Sequence, residues 1–76
     1  MGAEVIWLYT EEQIVKPMTF LLYHDNEETF RYDNIMVSGI NHLTGILNSY
    51  ITRHKDITGV DVIGFDGKPV AKYRRT

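Results

Sequence analysis

SGINHLTGILNSYITRH, Ser38 to His54, decides the fold, because no other stretch of this chain keeps a helical period for so long. At about 100° per residue, Met36, Ile40, Leu43, Ile46, Leu47, Tyr50 and Ile51 fall within an arc of roughly 140°, the apolar stripe of a helix laid on a core. The helix is expected to start within residues 33–38. Asp33 and Asn34 offer early caps and Ser38 the favoured late one. It should end near His54, where Arg53, His54 and Lys55 suit the negative end of the helix dipole.

Outward from the helix, both flanks read as short strands. Upstream, Glu28 to Tyr32 alternates with Phe30 and Tyr32 inward, and Met18 to His24 alternates with Phe20 and Leu22 on one face. Asp25-Asn26-Glu27 between them tolerates a turn, so residues 18–32 form a hairpin. Ala3 to Tyr9 (AEVIWLY) is β-branched and aromatic on both faces, which predicts a strand covered on both sides. Thr10 and Gln13 stand at capping-box spacing, and Pro17 stops any helix there from running far. Downstream, Ile57 to Phe65 and Val70 to Arg75 flank Asp66-Gly67, the strongest hairpin dipeptide in the chain. The cations of the last strand look like the guard of a sheet edge. The expected fold is α+β: one amphipathic helix on a mainly antiparallel sheet of four or five strands, in the order β-β-β-α-β-β.

Seventy-six residues make one small domain, residues 1–76, with a thin stability margin. A chain this short gains from tight helix–sheet packing or from a partner subunit. It holds no cysteine, so there is no disulfide framework or thiolate metal site. The apolar run Val5–Tyr9 is too short for a signal peptide, and nothing approaches a membrane span, so the expected compartment is the cytoplasm. Residues 1–33 carry seven acids against Lys16 and Arg31, whereas residues 34–76 carry three acids against six Lys and Arg. That polarity could steer partners, unless folding interleaves the halves.

No reaction machinery is legible. His24 lies among Asp25, Glu27 and Glu28, but HDNEE has neither zinc-helix nor EF-hand spacing and reads as a solvated turn. His42 and His54 are too far apart around the helix to share a ligand. Gly64 to Lys68 fails the phosphate-loop spacing, and there is no nucleophile elbow. The expectation is no enzyme, no cofactor and no metal site.

Two patterns remain. Asn41, Thr44, Gly45, Asn48 and Thr52 lie opposite or beside the apolar stripe without a single charge, where a solvated helix normally carries Lys and Glu. Close approach of another polypeptide would explain them, as would a neutral helix of low intrinsic stability. The C-terminal segment interleaves Lys68, Lys72, Arg74 and Arg75 with Tyr73, which suits phosphate contacts and base stacking. Its footprint is small and the chain is acidic overall. The leading expectation is therefore a non-enzymatic binding or regulatory protein working through protein–protein contact, with an unidentified partner or with itself as a homodimer. The second is a nucleic-acid-binding accessory protein.

Overall fold

The computed structural model describes residues Gly2 to Arg75. Its elements are β1 (Ala3–Trp7), a single 3-10 turn (Glu11–Gln13), β2 (Met18–His24), β3 (Glu27–Ile35), α1 (Ile40–Arg53), β4 (Gly59–Ile63) and β5 (Pro69–Arg75). The five strands form one antiparallel sheet in the order β1-β5-β4-β2-β3. The expected α+β fold and its element order are both present. No helix among the described residues is long and apolar enough to cross a membrane.

Local chemistry explains the connections. The β2–β3 hairpin turns on Asp25 and Asn26, both left-handed with φ of 48° and 71°. Two such residues give the turn whose twist matches the flanking strands, and Asp and Asn tolerate that conformation. Between β4 and β5 the left-handed position is Gly67, with φ of 81°. The Asp66 carboxylate accepts the Lys68 amide at 3.1 Å and fixes the turn.

One face of the sheet carries the core. Met18, Phe20 and Leu22 of β2, Val60 and Val62 of β4, and Val70, Ala71 and Tyr73 of β5 are all buried. They meet Leu43, Leu47 and Tyr50 of α1, with Ile40, Ile46 and Ile51 packed at its margin. Each fully buried large side chain contributes roughly 1.5–3 kcal/mol. Tyr50 sets the position of the helix. Its ring stands edge-on to Phe20 at 5.2 Å and stacks on Tyr32 of β3 at 4.4 Å, 8° from parallel. Tyr50 thus links the helix to the β3 rim, while the buried core beneath it lies on β2, β4 and β5.

Several expectations need correction. β1 is not buried on both sides: residues on each of its faces are partly exposed. The core packed against the helix draws on the three inner strands β2, β4 and β5, and a helix about 10 Å wide with its flanking side chains reaches little further across strands about 4.8 Å apart. β1 lies outside β5 at the edge of the sheet, beyond that core. β5 is not an edge either, because β1 pairs along it from Ala3↔Arg75 to Trp7↔Ala71. Its cations thus guard nothing. Met36 lies before the helix and is exposed rather than part of the stripe. Ser38 does not cap: Gly39 holds that position, and the Ser38 amide donates instead to Nδ1 of His42 at 3.0 Å. The chain halves do interleave, since β2 pairs with β4 and β1 with β5.

Candidate interaction edge

β1 is the feature of the molecule that its own fold does not explain. Val5, Ile6, Trp7, Leu8 and Tyr9 are 36%, 46%, 40%, 45% and 40% exposed, five consecutive large apolar residues in partial contact with water. The Leu8 amide donates to the Val70 carbonyl at 2.8 Å, continuing the β1–β5 register past Trp7. Backbone groups alternate along a strand, so Leu8, Ile6 and Glu4 spend theirs on β5. Val5, Trp7 and Tyr9 point theirs the other way, where no strand lies among the described residues. Trp7 and Tyr9 share one face, their rings edge-on at 6.3 Å. This is an unguarded edge, with Glu4 as its only charge.

The end of β1 is held firmly. Gln13 is buried, with Oε1 accepting the Thr10 amide at 2.8 Å and Nε2 donating to Asp66 at 3.1 Å. Thr10 and Gln13 thus make the contact their spacing suggested. Gly64 makes room for it: a Cβ there would lie 2.9 Å from the Gln13 amide nitrogen. The hydrogen bond from Gln13 is the main reason the Asp66 carboxyl titrates below the ordinary carboxylate range.

The uncharged helix face lies where expected. Asn41, Gly45, Asn48 and Thr52 are exposed, and a Cβ on Gly45 would meet nothing within 4 Å. Thr44 is half-buried, its hydroxyl bonded back to the Ile40 carbonyl at 3.0 Å. The C-terminal cations do not assemble around an aromatic. Tyr73 is a core residue, 5% exposed, so its ring is closed to a stacking base. Arg74 lies over Gly59 with Nη2 2.9 Å from Asp61, a contact of charge without hydrogen-bond alignment. Arg75 donates to the Lys55 carbonyl at 2.9 Å. Lys68 and Lys72 are exposed. A basic, aromatic-lined surface therefore does not form.

One cluster escaped the sequence reading. His54 ends the helix with Nε2 2.8 Å from the Tyr32 hydroxyl and its ring 4.3 Å from Phe30. Phe20, Tyr50, Tyr32, His54 and Phe30 form one aromatic ladder from the core to the surface. The signal was present: Tyr50 and His54 are four apart on a helix, Phe30 and Tyr32 two apart on a strand. Beside them opens a cleft of about 410 Å³ lined by His24, Phe30, Arg53, His54, Lys55 and Asp56 among others. Its charged groups lie at the surface, where solvent and salt screen them. His24 stands 3.7 Å from Asp25, and among the described residues no three His, Cys, Asp or Glu side chains converge. No family model, no curated protein and no solved structure matches the chain.

Proposed function

We propose that this is a non-enzymatic binding protein that works by protein–protein contact, its partner adding a strand to β1. The observation that carries this reading is the unpaired, apolar, both-sides-exposed edge from Val5 to Tyr9. Folded proteins normally blunt such an edge with charge, proline or a cover. Where it is left open, an extended segment can take main-chain hydrogen bonds for affinity and alternate side chains for specificity. The neutral helix face is a second surface on the same molecule, but it offers no backbone groups and no apolar lining.

Retention of polypeptides from a native lysate tests the reading with three immobilised forms. The natural chain is expected to retain a partner, Trp7→Lys to lose it, and Asn48→Arg to keep it. Loss with Asn48→Arg and retention with Trp7→Lys would move the interface from the strand to the helix. Equal retention by all three would refute strand addition.

A further inference from the structure

We infer that the strand added to β1 is β1 of a second copy, giving a two-fold dimer with one continuous ten-stranded sheet. This rests on the strand-addition reading above and names its partner.

The run is self-complementary in one antiparallel register. With Trp7 opposite Trp7 of the second copy, Val5 meets Tyr9 and Ile6 meets Leu8. Every large apolar residue of Val5–Tyr9 then faces another, and Glu4 faces the uncharged Thr10. Shifting the pairing by two residues either way sets an apolar residue of the run against Ala3 or Glu4, or against Glu11. The backbone agrees. Val5, Trp7 and Tyr9 are the residues whose N–H and C=O groups point off the edge, as fixed by the Leu8 bond to Val70. A Trp7-centred pairing joins those groups in about six hydrogen bonds. Trp7 and Val5–Tyr9 pairs lie on the helix-side face, where aromatic and β-branched neighbours across strands attract. Thr10 is already extended, at φ −107° and ψ 160°, so the strand has room to lengthen.

Charge selects this edge over the other. Glu27, Glu28 and Asp33 lie along β3 at the far side of the sheet. Pairing through β1 places the two acidic edges about 40 Å apart, well beyond the screening length. The exposed parts of the five side chains amount to roughly 400 Å² per copy, the scale of a functional patch. Edge pairing covers the flanks of these side chains and the backbone between them while both faces stay in water, so it buries less than the roughly 1,000 Å² of a stable specific interface. The dimer is therefore reversible, with half-association between about 10 and 1,000 μM.

Sedimentation velocity across that range tests it, together with two variants. Val5→Pro deletes an N–H that points off the edge and spares the ladder to β5. It should keep the monomer's circular dichroism and raise the half-association concentration at least tenfold. The cysteine-free background allows a check on register. An oxidised equimolar mixture of Ile6→Cys and Leu8→Cys chains should yield the mixed disulfide several-fold over either homodimer, because opposed residues approach to about 4.5 Å. A natural chain still monomeric at about 1 mM overturns the proposal, as does half-association unchanged by a folded Val5→Pro. Equal yields of the three disulfides overturn the register. If the natural chain is monomeric but Trp7→Lys still loses a lysate partner, the second copy is excluded and strand addition itself survives.

Discussion

The two edges of this sheet were given different protection. β3 runs nine residues, and its Glu27, Glu28, Arg31 and Asp33 keep charge along the rim. Arg31 pairs with Asp33 at 2.9 Å, which also accepts the Thr19 hydroxyl, and this pairing holds the Asp33 carboxyl below its ordinary range. Register shifts interrupt its ladder with β2, and Asn34 adopts a left-handed φ of 57°. Its inner face meets the helix at half-buried Tyr32, whereas Phe30, expected to point inward, is 48% exposed. β1 has five residues, one acid, a continuous register with β5 and no helix over it. The difference teaches where the helix's reach ends. A single helix buries what lies beneath it, here β2, β4 and β5, and an edge strand beyond that reach must be protected by its own chemistry or by another chain. β3 carries that chemistry and β1 does not.

The largest expected effect comes from removing the clamp that ties the helix to the β3 side. Tyr50→Ala deletes a ring 8% exposed that touches both Phe20 and Tyr32. Chemical denaturation should show a loss of about 3–5 kcal/mol, as for other buried aromatics truncated to alanine. For so small a domain that approaches the whole stability. A loss below about 1 kcal/mol would mean that the helix is not held through this residue.

Next is the anchor behind β1. Gln13→Ala removes a buried amide serving Thr10 and Asp66, and leaves the Thr10 amide without its partner. The expected cost is about 1–3 kcal/mol. Hydrogen exchange should quicken at Leu8, whose bond to Val70 lies next to the anchor, more than at Phe20 in the core. Equal quickening at both would show that Gln13 serves the fold as a whole and has no special hold on this edge.

The architecture was readable because its signals are local and periodic. The stripe from Ile40 to Ile51, the alternation of Met18, Phe20 and Leu22, and the Asp25-Asn26 and Asp66-Gly67 turns each depend on near neighbours. What failed depended on strand order. Nothing in VAKYRR says that β1 will pair beside it, so cations that look like an edge guard belong to an inner strand, and Tyr73 looks like a stacking platform while lying in the core. AEVIWLY has the composition of a strand buried on both faces, and only the width of one helix against five strands leaves it bare. The same fact hid the exposed apolar run Val5–Tyr9.

A smaller effect follows from giving β1 the protection that β3 has. Ile6 is nearly half-exposed and opens away from the helix side, so Ile6→Lys should cost less than about 1 kcal/mol in denaturation. Self-association and aggregation at high concentration should fall, since an edge lysine opposes pairing. A variant as prone to associate as the natural chain would show that the contrast between the edges has no consequence in solution.

The smallest effect is one of pH, and its sign follows from Asp66. The Gln13 side chain, the Lys68 amide and the nearby Lys68 charge all favour the ionised carboxylate, so its folded pKa lies below the ordinary 3.8. A group depressed on folding adds stability at pH values above the unfolded pKa, and that stability disappears as pH falls through the folded value. Asp66→Asn cannot ionise, so it lacks this contribution at every pH. The melting temperature of the natural chain should exceed that of Asp66→Asn by a constant margin above about pH 5, a margin that narrows below the ordinary carboxylate pKa and vanishes below the lowered folded one. Since the carboxylate is at the surface, the margin should shrink with added salt. A margin that persisted unchanged into strong acid would assign the effect to the shape of the turn, and with it would go the role of charge in holding the end of β1.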